Sequence, residues 1–451
     1  SVLESLRLSI GGNCMQRNEP FATTPAYTSA DKKRKIIIPF FTPFISPLIP
    51  PLMKLAGYEV ENLPLSDNKS CDLGLKYANN EVCYPATLIT GDIIKAFEEK
   101  RYDPATTSVA ITQTGGQCRA TNYISLIKKA LTESGYDNVP VVSLTFGSGL
   151  YNEQEGFKVN WFKLLPIILA SLIFSDCIAK FYHASIVRET QKGAAEKLKD
   201  KYLAQAAKLI THNDKDGLTT LLSQAAEDFN AICKKDEYHP RVGIVGEIYL
   251  KFNPFAQKNV CSWFAEHGIE VVPPMLTDFF IQSFVNIKVK QKENLEKKKM
   301  PDFIVDMLYK MVWKRISQIS KAAEKFALFT PLNDIFKEAD EAKDIINLCA
   351  QFGEGWLLPG EIVSMYKQGI KHIVSLQPFG CIANHIVAKG VEKRIKRLYP
   401  DINMLYLDFD SGVSDVNIIN RLLLFANDMI EKNNNGQHRT NHNQYSQATV
   451  Y

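Results

Sequence analysis

Residues 112–142 read TQTGGQCRATNYISLIKKALTESGYDNVPVV, and residues 376–405 read LQPFGCIANHIVAKGVEKRIKRLYPDINML. The two stretches share one plan. Each leaves a predicted strand, passes a glycine-containing turn to a cysteine, continues as a helix with basic residues, and ends in another strand. Cys118 and Cys381 hold corresponding positions in this plan. The repeat predicts two similar α/β domains that face each other.

Strand and helix patterns alternate on both sides of these stretches. Apolar or β-branched runs predict four strands in each half of the chain, at residues 32–41, 57–64, 107–112 and 139–146, then at 241–247, 269–273, 371–376 and 403–408. Helical periodicity separates most of them. Strands alternating with helices at this spacing predict βαβ units and parallel sheets.

The limits of these patterns predict five regions. They are an N-terminal extension at residues 1–31, a first α/β domain at 32–150 with Cys83 and Cys118, a helical segment at 151–238, a second α/β domain at 239–432 with a helical insertion at about 278–348 and with Cys381, and a polar, disordered tail at 433–451. The most apolar stretch, residues 164–179, contains a proline and an aspartate and is shorter than the ~20 residues that span a bilayer. We expect a buried helix there.

Composition excludes several classes of protein. A chain of 451 residues with 45% hydrophobic and 23% charged residues is typical of a globular protein of two or three domains. Its net charge of +4 is too small to indicate a nucleic-acid or membrane-surface partner. No signal-peptide pattern precedes the first strand, and the chain starts with Ser1, so we expect a processed chain or a fragment. The nine scattered cysteines, without CxxC, argue against disulfides and zinc ribbons and favour a reducing cytoplasm.

The chemistry of the chain is expected at three of its cysteines. The sequence contains no P-loop, no GxGxxG after a strand, no HExxH and no GxSxG. Cys83 precedes a predicted helix, while Cys118 and Cys381 lie in strand-to-helix turns, where open α/β sheets bind ligands and helix N-termini stabilise thiolates. Three thiolates from two facing domains suit an iron–sulfur cluster. The alternative, a small buried apolar side chain, is our interpretation of Cys177, Cys233, Cys261 and Cys349.

Other polar residues near these turns have two interpretations each. Glu247, Asp408 and Asp410 end strands and could line a crevice, or could cap helices and meet solvent. Arg119 and Asn122 follow Cys118 within one helical turn and could hydrogen-bond cluster sulfides, or could lie on a solvated face. His385 could be a hydrogen-bond donor behind Cys381, or a capping or core histidine. The lysine-rich residues 288–299 predict a solvated helix surface, with partner docking as the alternative.

The segments NNEVCYP, ITQTGGQCRATNYISLIKKAL, VGIVGEIYLKFNPF, GEGWLLPGEI and VSLQPFGCIANHIVAKG resemble the activase-related proteins of the 2-hydroxyacyl-CoA dehydratase system. They are most similar to the C-terminal region of the long acyl-CoA dehydratase activases, which is related to dehydratase subunits and double-cubane cluster proteins. The resemblance covers about residues 11–432. It implies Rossmann- or flavodoxin-like domains and a 4Fe–4S or double-cubane cluster bound by Cys83, Cys118 and Cys381. Cys14, in GGNCMQRNEPF, would be a fourth ligand or part of a site completed by other domains.

The resemblance also bears on partners. The ATP-binding domains of the long relatives are absent from this sequence, so we expect no ATPase activity in this chain alone and a separate or fused ATP-dependent activase as partner. A homodimer is compatible with the family, whereas nucleic-acid and membrane partners are not expected. Three functions remain open: an electron-transfer module, a reductase or dehydratase component of anaerobic metabolism with an open iron site, and a cluster-free scaffold or degenerate fragment that binds a partner protein.

Overall fold

Two four-stranded parallel sheets organise the part of the chain that the structure describes. This computed structural model describes residues 23–79, 81–114, 118–144, 152–297 and 300–446, with side chains as far as Glu431. The strand order is β2-β1-β3-β4 in the first sheet and β6-β5-β7-β8 in the second. All strand pairs in both sheets are parallel. The expected fold class, two α/β domains with parallel sheets and helical insertions, is confirmed.

The first sheet forms where the β-branched runs were predicted. Its strands are β1 (Lys35–Ile38), β2 (Val60–Asn62), β3 (Thr107–Thr112) and β4 (Val141–Leu144), and its helices are α1 (Ile49–Leu55), α2 (Asn68–Tyr77), α3 (Tyr84–Glu98) and α4 (Tyr123–Glu133). The first five residues of β3 are buried. A strand covered on both faces requires a continuous apolar run, and TSVAIT supplies one.

Residues 23–28, within the predicted N-terminal extension, belong to the first domain. The Tyr27 side chain is fully buried and meets Phe157 edge to face, with ring centroids 6.0 Å apart. The Tyr27 carbonyl accepts a hydrogen bond from Gly156 N–H at 3.0 Å. The domain therefore starts earlier than the boundary at residue 32, because an aromatic side chain outside the predicted strand completes its core.

The predicted helical segment consists of α5 (Trp161–Ile186), α6 (Ala194–Thr211) and α7 (Lys215–Ile232). Helix α5 is long and apolar enough to cross a membrane by length and composition, but 56% of its most apolar window is buried inside the protein. Phe174 and Phe181 are fully buried, and Phe181 packs against Phe326, with centroids 4.8 Å apart. The expectation of a buried core helix is confirmed.

The second half contains four strands and eight α-helices among its described residues. The strands are β5 (Arg241–Gly246), β6 (Glu270–Val272), β7 (His372–Pro378) and β8 (Asn403–Phe409); the helices are α8 (Ile248–Phe252), α9 (Val260–Glu266), α10 (Leu276–Lys292), α11 (Asp302–Ala323), α12 (Ile335–Ala342), α13 (Leu357–Lys367), α14 (Glu392–Leu398) and α15 (Asp415–Ser446). The predicted insertion corresponds to α10, α11 and α12. Helix α13 lies outside it and leads directly into β7.

The last helix differs from its prediction. Helix α15 continues to Ser446, through most of the segment for which a disordered tail is expected from residue 433. The segment contains a single glycine, Gly436, and no proline, which is the residue that a helix interior excludes most strongly.

A shared core joins the two halves. Apolar side chains of α3 and α4 belong to the same buried cluster as those of β5, α9 and α15. The Phe41 ring stacks on Tyr249, with centroids 6.3 Å apart, and the Asn253 amide donates to the Phe40 carbonyl at 3.3 Å. These contacts fix the carboxyl end of the first sheet against the start of the second half.

Candidate functional site

One cysteine follows the third strand of each sheet: Cys118 follows β3 and Cys381 follows β7. The strand order reverses between β1 and β3 and between β5 and β7, and open parallel sheets bind ligands at such switch points. Cys118 follows β3 and precedes a 3-10 turn at Arg119–Asn122, while Cys381 follows β7 and precedes a π-helical turn at Ala383–Ala388. Both residues are partly exposed, so solvent reaches this part of the protein.

Cys83 occupies the N-cap of α3. Its backbone is extended (φ −177°, ψ 127°). Pro85 lies in the first turn of the helix, where backbone N–H groups have no partner within the helix, so the missing N–H of proline costs no hydrogen bond. The residue is only 5% exposed. Its Sγ atom lies 3.2 Å from the Tyr123 hydroxyl of α4, which orients the thiol.

The backbones next to Cys83 and Cys381 touch across the two halves. Tyr84 N–H donates to the Phe379 carbonyl at 3.3 Å. Gly380 has a positive φ of +79°, and a Cβ atom on it would lie 2.7 Å from the Val82 carbonyl oxygen. Glycine at this position therefore permits both the turn after β7 and the close approach of the first domain.

Cys118 lies close to the loop before α13, and this loop also contacts the turn that follows Cys381. A Cβ atom on Gly353, whose φ is +63°, would lie 4.0 Å from Cys118 Sγ and 3.6 Å from Ala383 Cβ. The loop therefore lies between Cys118 and the turn that follows Cys381. The segments that carry the three cysteines are therefore neighbours in the structure, although they come from both halves of the chain.

Two glutamates accompany the cysteines. Glu247 directly follows β5 and caps α8, its Oε2 accepting a hydrogen bond from Leu250 N–H at 2.9 Å. Glu354 is 3% exposed, and its Oε1 accepts from Ile248 N–H at 2.6 Å. Both carboxyls are thus held by the start of α8, on the side of the cysteines.

Burial and these carboxyls keep the thiols protonated. Burial, with Glu247 nearby, raises the pKa of Cys83 to about 12. Burial and then Glu354 and Glu247 raise the pKa of Cys381 well above its ordinary value, and the pKa of Cys118 is raised by burial and both carboxyls. Burial and the charge of Glu354 raise the pKa of Glu247 to about 8.

The expectation that the helix starts favour thiolates is met only in part. The backbone N–H groups of Ala86, Ala120 and Asn384 lower the pKa of the cysteines two or three residues before them. The net direction is nevertheless upward, because burial and negative charge outweigh a few N–H dipoles. The thiols ionise only if a positive group arrives.

Three cysteine thiols are a donor set of the kind that iron–sulfur clusters use. Within the described ranges, no three His, Cys, Asp or Glu side chains are arranged to hold one ion. A cubane cluster has a different requirement from a single ion. Each thiolate binds its own iron, so the ligand sulfurs of such a cluster are roughly 6–7 Å apart. The iron ions would also supply the positive charge that the buried thiols need to ionise. Asn384 Nδ2 already donates to Cys381 Sγ at 3.2 Å, as amides do to cluster ligands.

The structure places the other predicted residues less centrally. Arg119 and Asn122 are exposed, which matches the solvated face. His385 is half-buried, and its backbone N–H donates to the Cys381 carbonyl at 3.1 Å. Asp408 pairs with Lys389 at 3.2 Å, and Asp410 accepts a bond from Gly412 N–H at 2.7 Å, so both match the surface interpretation.

The remaining cysteines divide into two groups. Cys14 lies outside the described residues. Cys177 and Cys233 are buried, whereas Cys71, Cys261 and Cys349 are partly buried. Cys177 belongs to the core around α5, and Cys71 and Cys261 pack against the core shared by the two halves, as small apolar side chains do.

The sequence analysis does not identify three residues that lie near the cysteines: Glu354, Asn384 and Tyr123. Asn384 carries a weak signal, since it stands three residues after a cysteine at a helix start. Glu354 and Tyr123 reach the site only through tertiary contacts.

No protein-family profile matches the chain, and no curated protein matches it significantly.

Proposed function

We propose that this chain is an iron–sulfur cluster-binding protein of the 2-hydroxyacyl-CoA dehydratase/activase type, with Cys83, Cys118 and Cys381 as the cluster ligands. The observation that supports this most directly is the meeting of these three cysteines. They are separated by up to about 300 residues of sequence, yet the segments that carry them touch across two sheets.

The surroundings of the thiols suit a low-potential cluster, which when bound would supply one-electron transfer or reductive chemistry. Negative charge near a cluster stabilises its oxidised state, and Glu247 and Glu354 would supply such charge when they are ionised. Asn384 acts in the opposite sense, because its N–H group stabilises sulfur that has gained negative charge. Three thiolates on a four-iron cluster leave one iron for water, substrate or a bridging sulfide.

The electron must come from elsewhere. The sequence lacks a phosphate-binding loop, so an ATP-dependent activase, as a separate or fused partner, is the proposed source of low-potential electrons. A reducing cytoplasm suits a protein with unpaired cysteines and such a cluster. Whether the chain relays electrons or acts as the reductase or dehydratase component is decided by which substrates the reduced protein turns over.

Iron and sulfide analysis after anaerobic expression and reconstitution tests the proposal. We expect stoichiometric iron and sulfide, visible absorbance, and reduction that depends on ATP only when an activase is added. The isolated chain should not hydrolyse ATP. Metal-free protein after reconstitution would refute cluster binding and favour the cluster-free scaffold. Fast reduction by a mild donor without activase would contradict a low potential.

A further inference from the structure

A row of buried acids extends away from the cysteines through the helical insertion. Its members lie on different helices and are at most 5% exposed: Asp278 on α10, Glu338 on α12, Glu361 on α13, and Glu354 beside the cysteines. Lys251 on α8 is 3% exposed and lies among them. Its Nζ atom pairs with Glu361 Oε1 at 2.7 Å.

This row contains more carboxyls than Lys251 and the neighbouring Lys180 can neutralise. Glu361 Oε2, Glu338 Oε2 and Asp278 Oδ1 are inaccessible to solvent and have no hydrogen-bond partner among the described residues. An ionised carboxylate with an unpaired buried oxygen is costly, and a bound proton removes both the charge and part of the deficit. Glu338 and Asp278 therefore hold protons at neutral pH, whereas Lys251 stabilises the ionised form of Glu361.

The row connects the site with the surface. At the inner end, Lys251 belongs to the helix that Glu247 caps, and Glu354 accepts from the first N–H of that helix. At the outer end, Glu341 on α12 pairs with Lys367 at 3.4 Å, and the Lys367 side chain is 49% exposed. The charge of Glu341 acts on Glu338. Glu341 thus lies between the buried row and the solvent-exposed Lys367.

We propose that Glu361 takes up a proton from solvent through this row when the cluster accepts an electron. This inference rests on the proposed function. The electron comes from a low-potential one-electron donor and reduces one iron of the cluster, and the proton ends on a Glu361 carboxyl oxygen. No bond other than O–H forms, and the net charge of the interior is unchanged.

The electrostatics around Glu361 agree with this assignment. Burial raises the pKa of Glu361 to about 7, against the opposing charge of Lys251, so its proton affinity is poised near neutrality. An added electron nearby raises that affinity further. The charged and titratable groups on the elements around Glu361 are Lys251, Glu354, Asp278, Glu338, Glu341 and His385, with Asp176 and Lys180 of α5 beyond Asp278.

The test is the midpoint potential of the reconstituted full chain, measured from about one unit below to about two units above neutral pH. Uptake of one proton per electron makes the potential more negative by about 59 mV for each tenfold fall in proton concentration. We expect a slope approaching this value, and its loss in Glu361→Gln, which keeps an oxygen acceptor for Lys251. Glu227→Gln is the matched control, because Glu227 is 64% exposed and pairs with Lys325 at 3.0 Å.

Two further measurements keep the inference testable. Glu338→Gln, whose site packs against Gly360, should keep the slope, because a midpoint potential is an equilibrium property, and should slow the proton uptake that accompanies reduction. A carboxylic-acid C=O infrared band that disappears in Glu361→Gln needs no cluster. A potential independent of pH, an unchanged slope in folded Glu361→Gln, or absence of that band overturns the inference. Full iron with a flat potential refutes this inference alone, whereas absence of iron refutes the proposed function and this inference with it.

Discussion

The two halves of the molecule have the same strand order but carry different side chains at corresponding positions. In the first half, the helix that leads into the third strand, α3, begins directly after Cys83; in the second half the corresponding helix, α13, begins just after Glu354. A thiol on one side thus corresponds to a buried carboxyl on the other. The proposed site is therefore asymmetric on a repeated scaffold, with two cysteines from one half and one from the other.

The largest expected effect tests whether both halves contribute ligands. Cys83→Ala, Cys118→Ala and Cys381→Ala should each abolish the visible cluster absorbance, because a buried cluster that loses one of three thiolates is not retained. Cys349→Ala is the control and should keep it. Iron content and absorbance of anaerobically reconstituted protein are the measurements. Full iron in Cys381→Ala would confine the site to the first half.

The second prediction compares buried acids on the two corresponding helices. Glu361 pairs with a lysine, whereas Asp92 on α3 accepts a hydroxyl bond from Ser66 at 2.7 Å and leaves Oδ1 unpaired. Burial raises the pKa of Asp92 from 3.8 to about 6. Since the folded-state pKa is the higher one, the stability due to protonated Asp92 is complete below pH about 4 and is lost as pH rises through about 6.

Asp92→Asn should remove this loss. The shift of about two pKa units corresponds to about 3 kcal/mol, so the variant should exceed the parent protein by up to that amount at pH 7 and equal it near pH 4. Urea unfolding at both pH values measures the difference. Asp72→Asn, at an exposed position on α2, is the control. Equal pH dependence in Asp92→Asn and the parent would show that Asp92 titrates normally.

The third prediction concerns the contact between the halves. Gly380→Ala places a Cβ atom against the Val82 backbone at a φ of +79°, whereas Gly135 has a similar φ of +84° and nothing within 4 Å of its Cβ position. Gly135→Ala should cost about 1 kcal/mol, the strain of the left-handed backbone alone. Gly380→Ala should cost about 1–2 kcal/mol more and reduce iron occupancy. Equal losses in urea unfolding would mean that the halves separate easily.

The smallest effect is expected from hydrogen bonds to sulfur. Asn384→Leu removes the N–H donor to Cys381, and Thr114→Val removes a hydroxyl that lowers the pKa of Cys118. Both should shift the midpoint potential to more negative values, because donors stabilise the reduced cluster. The shift should be larger for the fully buried Asn384 than for the exposed Thr114. A positive shift in Asn384→Leu would contradict the role of this amide.

Local sequence patterns predict the strands and the cysteines well. Strand β3 matches its predicted residues one for one, since TSVAIT has no competing pattern. Cys118 and Cys381 lie in strand-to-helix turns as expected. The direction of the thiol pKa shifts could not be predicted, because it depends on Glu354, which stands outside the predicted elements and reaches the cysteines only in the folded chain. Residues 433–446, for which polar composition predicts a disordered tail, continue α15 in the structure.

The contact between Gly380 and Val82 also has a consequence for how the protein is made. Cys83 and Cys118 leave the ribosome, and the first sheet can fold, long before the turn that contains Cys381 is synthesised. Until then the first domain presents two thiols without their covering partner. Insertion of the proposed cluster would therefore wait until residue 381 has been synthesised, and until then both thiols lack this protection from oxidation.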